Sequence, residues 1–298
     1  MVNVYEQVAH NKFRSGLIIT LFISFILGAV YLISRAFGYG NDFMIFTLII
    51  SCFMSGASYF WGDKMVVALN GAKSANRQDY FDFYTVTENL SLANGTPMPK
   101  IYVIESEAMN AFATGRDPKH ALVCATTGLL KKLNRTELEA VVAHELSHIK
   151  NYDILLMMIV SILIGTLSIV INISTRTSFF GGKRNNNNDN NNEVGAIVAI
   201  IGLILMIFAP IIAQLIQLAI SRRREYLADA SAVKLTRQPQ GLIDALEKIS
   251  EDSNKLKTAS TATASLYINN PFKGNKIASL FSTHPPIKDR IAALNKML

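Results

Sequence analysis

Four apolar runs, none containing a charged side chain, constrain this chain more than any other feature. They are residues 16–34 (GLIITLFISFILGAVYLIS), 43–61 (FMIFTLIISCFMSGASYFW), 154–173 and 194–220, the last interrupted by Pro210. A helix of about 20 apolar residues crosses a hydrocarbon core of about 30 Å, so each run has the length of a transmembrane helix, with a kink or tilt expected at Pro210. The bulk composition agrees. Half of the 298 residues are hydrophobic, 17% are charged and the mean hydropathy is +0.26, which is not the balance of a soluble domain. Lys12 and Arg14 before the first run imitate a signal peptide, but only Ser34-Arg35 follows it, with no small-x-small cleavage site. That run is expected to stay as an anchor.

The formal net charge of +7 would suggest nucleic acid in a soluble protein, but here the basic residues gather at the ends of the apolar runs and no nucleic-acid partner is expected. Lys12, Arg14, Lys64 and Arg222-Arg223-Arg224 lie on one side, while the first connecting loop holds Arg35 and Asp42. By the positive-inside rule both termini face the cytoplasm. The expected organisation is a cytoplasmic tail at 1–15, a transmembrane hairpin at 16–62 and a polar cytoplasmic segment at 63–153. A second hairpin follows at 154–220, then a polar cytoplasmic segment at 221–298. The loop at 174–193 carries GGKRNNNNDNNN, an Asn tract with nothing to bury, and reads as a disordered extracytoplasmic linker. Cys52 lies in an apolar run and Cys124 in a strand candidate, so neither a disulfide framework nor a thiolate metal site is expected.

In the first polar segment a helix is expected around 80–92, followed by a Gly95-Thr96-Pro97 turn. Three short β-prone stretches, 101–104, 111–114 and 121–125, suggest a small antiparallel sheet. Asn134 with Glu137 three residues on is capping-box chemistry, which starts a helix near Arg135. After the fourth run, 225–234 and 241–249 read as helices, 253–274 as a mobile Ser/Thr/Asn/Gly-rich loop and 287–298 as an amphipathic helix. The polar segments contain no internal repeat.

The helix begun at Arg135 carries His144-Glu145-Leu146-Ser147-His148. Two imidazoles four residues apart share a helical face and can reach one Zn²⁺, while Glu145 projects to the same side without needing to ligate and can take a proton from an attacking water. A closed structural zinc site needs a fourth protein ligand, and cysteine is not at hand. For a third ligand, Glu225 and Asp229 stand one turn apart just after the fourth run, so one can ligate while the other holds a histidine N–H. Glu225 is the favoured ligand on position. The competing reading pairs it with an arginine at the membrane surface. Five residues separate His148 from Ile154, so a continuous helix would hold the metal about 10 Å above the third run.

Three segments together make the chain resemble the HtpX membrane metalloproteases, gluzincins related to the CAAX prenyl proteases. They are His144 to His148 followed by an apolar run, Arg224-Glu225-Tyr226-Leu227-Ala228-Asp229-Ala230 after the next, and Phe281-Ser282-Thr283-His284-Pro285-Pro286. An Asn110-Ala111-Phe112-Ala113 element adds to the likeness. The resemblance implies His144, His148 and Glu225 as ligands of one Zn²⁺ per chain, Glu145 as catalytic base and Asp229 beside a ligand. It also implies a protease that clears misfolded membrane proteins from the cytoplasmic face.

The expected fold is therefore an integral membrane α-helical protein of four transmembrane helices with a cytoplasmic α+β zincin-like domain carrying a small β-sheet. The 110–113 strand reads either as an exposed edge on which a substrate chain pairs or as an internal strand with Phe112 in the core. His284 reads as a donor to the developing oxyanion, with Arg290 orienting it or pairing with an acid, or as a cap on the last helix. His10 and His120 read as surface residues. Partners expected are the lipid bilayer and membrane-protein or unfolded polypeptide substrates; no signal for oligomeric state is present. Against the endopeptidase stands a zinc-stabilised membrane scaffold or stress adaptor, for which Glu145 would have no use. Processing of prenylated carboxyl-terminal peptides is disfavoured, because four spans enclose little volume.

Overall fold

The computed structural model describes residues 41–159, 222–256, 266–269 and 285–298, with Thr263 and six isolated positions near the amino terminus. Helix α1, Asn41–Leu69, contains the whole second apolar run. Most side chains of 41–54 lie outside the described residues, as do most of the first and third runs and all of the fourth run and of the Asn-rich loop. Among the described residues no helix is long and apolar enough to cross a membrane.

The polar segments fold around a four-stranded sheet of β1 (Lys73–Ser74), β2 (Lys100–Ile104), β3 (Ala111–Gly115) and β4 (Ala121–Thr126), in the order β1-β2-β4-β3. The three expected strands are present, but the sheet is mixed where an antiparallel one was expected. β3 and β4 form an antiparallel hairpin whose second strand inserts next to β2 and runs parallel to it, with Tyr102 opposite Cys124. All six residues of β4, in the interior of the sheet, are apolar or small and are buried. One face, with Val123 and Ala125, packs on the helices. The other, with Ile104, Phe112 and Cys124, packs on Val66 of α1, Met157 and Tyr267.

Helix α2 (Phe81–Asn94) ends where Gly95 adopts φ 67°, a left-handed conformation that costs glycine little and lets Gly95 and Thr96 N–H groups reach the carbonyls of Leu92 and Ser91. Helix α3 (Thr127–Lys132) leads into α4, Arg135–Lys150. Both arms of the expected capping box are made: Glu137 N–H donates to Asn134 Oδ1 at 3.0 Å, and Asn134 N–H to Glu137 Oε2 at 2.9 Å. Helix α4 is the central element, packed on α2, β3, α5 (Arg222–Thr236) and α6 (Pro239–Glu251), while α7 (Ile287–Leu294) closes over α5 and α6. Residues 295–297, expected to continue that last helix, tighten into a 3₁₀ turn.

Two further differences bear on the site. Helix α4 does not run on into the third apolar run: Asn151 caps it, Tyr152 takes φ 59° and a new helical segment begins at Asp153. Within the stretch expected as a mobile loop, Thr263, Leu266, Tyr267 and Ile268 are buried. Its Ser/Thr/Asn-rich composition signals solvation, but the Leu-Tyr-Ile triplet finds apolar cover on the sheet. Thr263 Oγ1 and Tyr267 Oη then donate to the buried Asn70 Oδ1 at 2.8 and 2.9 Å.

Candidate active site

Along α4, residues 140–149 are buried without interruption, which a helix tolerates only when its polar side chains find partners. His144 and His148, one turn apart, turn their Nε2 atoms toward each other at 3.2 Å. Helix α5 brings Glu225, 2% exposed, with Oε2 at 3.6 Å from His144 Nε2 and Oε1 at 3.5 Å from His148 Nε2.

The outer nitrogens are fixed by carboxylates. His144 Nδ1 lies 2.9 Å from Asp229 Oδ1, and His148 Nδ1 lies 3.0 Å from Asp153 Oδ2. A carboxylate only accepts, so each Nδ1 carries the hydrogen and each Nε2 presents its lone pair inward. Two Nε2 atoms and a carboxylate, buried and converging within 4.8 Å, repel one another unless a cation, either a proton or a metal ion, lies among them. Atoms bound at 2.0–2.1 Å to a tetrahedral centre stand about 3.4 Å apart, and the three separations here are 3.2, 3.5 and 3.6 Å. The donor set therefore fits a metal of the zinc type, with three protein ligands. Glu145, 2% exposed, stands three residues before His148 on the same helix.

Around these groups Arg290, fully buried at the start of α7, grips Asp229 with two bonds, Nε to Oδ2 at 2.9 Å and Nη2 to Oδ1 at 2.6 Å, and its Nη1 lies 3.8 Å from Glu225 Oε2. Burial alone would raise the Asp229 carboxyl, but the Arg290 charge and the His144 hydrogen bond outweigh it and hold it at about 2. Burial disfavours a charged His148, yet the Asp153 hydrogen bond and the Glu225 charge prevail and raise it to about 9 in the metal-free site. At His148 the surrounding carboxylates thus favour a positive charge, as a cation site requires.

The geometry thus brings together His144, Glu145, His148, Glu225, Asp229 and Arg290. Glu225 faces the imidazoles, and Arg290 Nη1 lies 3.8 Å from its Oε2. Arg290 takes the acid-pairing role of its two expected ones. His284 and His10 lie outside the described residues, and His120 is an exposed residue paired with Asp117.

The Asn110–Ala113 element leads into β3, at the sheet edge but covered: Ala111, Phe112 and Ala113 are 2% exposed or less. Ile268 N–H donates to the Ala111 carbonyl at 3.0 Å, Asn110 and Asn269 exchange two bonds, and the Phe112 ring meets Tyr267 edge-on at 5.0 Å. Asp153 was not singled out from the sequence. Its signal was an acid at the threshold of an apolar run, where a carboxylate is costly unless it holds something. Arg224 Nη1 approaches its other oxygen at 3.5 Å.

A buried two-histidine, one-glutamate cluster on two packed helices, with a glutamate beside it and a small mixed sheet against the helix, defines a zincin-like metallopeptidase. The chain belongs to Peptidase family M48, whose sequence profile matches residues 82–298 and so takes in all of these side chains. A Protease HtpX homolog of Caldanaerobacter subterraneus subsp. tengcongensis is 42% identical over 294 residues, which are 99% of this chain and 98% of that one. A Protease HtpX homolog of Streptococcus uberis is 40% identical over 300 residues, 99% of this chain and 100% of its own. The crystal structure of S. mikatae Ste24p superimposes with a TM-score of 0.51 at 21% identity, over 94% of this chain and 65% of that one, a likeness of fold.

Proposed function

We propose that this chain is a zinc-dependent endopeptidase of the cell membrane. It hydrolyses peptide bonds of misfolded or damaged membrane proteins at the cytoplasmic face, in membrane protein quality control and the stress response. The observation that carries the reading is the convergence of His144, His148 and Glu225 with both Nδ1–H groups tied outward, beside Glu145. The relatives' name of protease supports the reaction class, and the four uncharged runs support the membrane.

His144, His148 and Glu225 would hold one Zn²⁺ per chain. When bound, zinc polarises the scissile carbonyl and acidifies water. Glu145 takes the proton of the attacking water on its carboxylate and returns it to the leaving amine. Asp229 and Asp153 keep the two rings in the tautomer that faces inward, and Arg290 keeps Asp229 ionised. His284 serves as donor to the developing oxyanion, the Arg290 anchor holding the following helix at the cluster. A substrate chain pairs along β3 once Ile268 and Asn269 leave Ala111 and Asn110; backbone pairing there gives grip with little side-chain preference.

The test uses the full chain purified in detergent, an unfolded reporter protein and the Glu145→Gln variant. Wild type cleaves and is stopped by chelator, while the variant keeps its metal and fold and cleaves at least about a hundredfold more slowly. Chelator-sensitive cleavage retained by Glu145→Gln would sink the mechanism. A non-cleaving scaffold would show in cells, where Glu145→Gln would then complement a deletion as well as wild type.

A further inference from the structure

Away from the metal centre, a cleft of about 200 Å³ opens where the sheet domain meets the apolar runs, lined by Tyr59, Phe60, Trp61, Asp63, Lys64, Lys100, Arg116, His120 and Met158. Two independent parts of the chain set its depth. Tyr59-Phe60-Trp61 ends the second run, and Met158 stands early in the third. Aromatic rings at such a boundary occupy the headgroup level of a bilayer.

Its chemistry is cationic. Lys64 comes from α1, Lys100 from the start of β2, and Arg116 and His120 from the β3–β4 turn, against one lining carboxylate, Asp63. The nearby Asp117 is engaged by His120 at 2.9 Å and by Arg116 at 3.5 Å. Arg116 is held at the rings: its guanidinium lies 5.2 Å from the Phe60 centroid and 6.0 Å from that of Tyr59, and Nη1 donates to the Phe60 carbonyl at 3.4 Å.

The apolar wall is uncovered, with Phe60 56% and Trp61 50% exposed. A soluble anion would meet the cations and leave those rings bare, whereas an amphiphile with an anionic head meets both. We infer that the cleft binds the headgroup of an acidic phospholipid, its phosphate among Lys64, Lys100 and Arg116 and its acyl chains along Phe60 and Trp61. Such a lipid would fix the height of the sheet domain over the bilayer.

The inference rests on the membrane reading above, so integration is checked first by alkaline extraction of membranes holding the full chain. Trp61 is the single tryptophan and reports the cleft directly. Detergent-solubilised chain is titrated with phosphatidylglycerol, phosphatidylcholine or inorganic phosphate while its emission is followed. Phosphatidylglycerol is expected to give a saturable change, and the other two none. In Lys64→Gln/Lys100→Gln, whose side chains are exposed and not needed for folding, the midpoint rises roughly 25-fold, about fivefold per charge. Arg116→Lys keeps the response.

Cleavage of a soluble unfolded reporter is unchanged in the double variant. Equal responses to the two lipids, an equal response to inorganic phosphate, or a double variant that titrates like wild type would overturn the lipid site and leave the protease standing. A chain released by alkali would overturn the membrane reading and the lipid site together.

Discussion

Asp153 and Asp229 do the same work from opposite sides, each holding the outer nitrogen of one imidazole so that the inner nitrogen is a lone pair. Replacing Asp153 by asparagine leaves the volume and removes the obligatory acceptor, so metal affinity falls 10- to 100-fold while the helices stay folded; competition with a chromogenic chelator measures it. Arg290→Met leaves Asp229 buried and uncompensated, which costs about 3–5 kcal/mol and shows as a lower Tm even without metal. The signs of two pH effects follow. Asp229 is depressed to about 2, below its unfolded 3.8, so its contribution to stability is complete above about pH 4 and is lost as pH falls through about 2. His148 is raised to about 9 without metal, so at neutral pH binding must displace its proton. Metal affinity therefore rises about tenfold per pH unit up to about 9, with release of one proton readable by calorimetry in buffers of different ionisation enthalpy.

At the scale of elements, α4 carries the site because its start is pinned and its length buried. Asn134→Ala removes one arm of the capping box and costs about 1 kcal/mol of stability, visible as a lower denaturation midpoint with an unchanged slope. The cover on β3 is a second element with a consequence. Asn110→Ala deletes both bonds of the clasp, which join its side-chain amide to the Asn269 backbone, and leaves the metal cluster untouched, so KM for an unfolded reporter falls several-fold while metal affinity is constant. An unchanged KM would mean that substrate does not use this edge. Local signals made many elements legible: Asn134 and Glu137 marked the start of α4 to the residue, and Gly95 marked the end of α2. The sheet's mixed direction was not legible, because the parallel pairing of β2 with β4 joins strands separated in sequence by the β3 hairpin arm, and no local signal encodes it. Nor was the packing of 266–268, where three apolar residues outweigh a polar surround.

For the molecule as a whole, the site joins distant parts of the sequence. The clustered His144, His148 and Glu225 come from helices that lie on either side of residues 154–220 in the sequence, and the Asp229 clamp comes from the last helix. That His144, Glu145 and His148 share one buried helix was readable from spacing, because helical periodicity is local. The partnerships of Asp153 with His148 and of Arg290 with Asp229 were not, since both depend on how the chain turns: the first on the break at Tyr152, the second on α7 folding back over α5. That break also separates the metal helix from the third run, so a shift of that run reaches the cluster through Asp153 and not through one rigid rod. The most direct test of the account is the metal content of the full chain purified in detergent, measured for wild type, Glu145→Gln and Glu225→Ala beside their cleavage of an unfolded reporter. The account predicts one zinc per chain in wild type and in Glu145→Gln, cleavage in wild type alone, and loss of zinc in Glu225→Ala. Full zinc and activity in Glu225→Ala would contradict it.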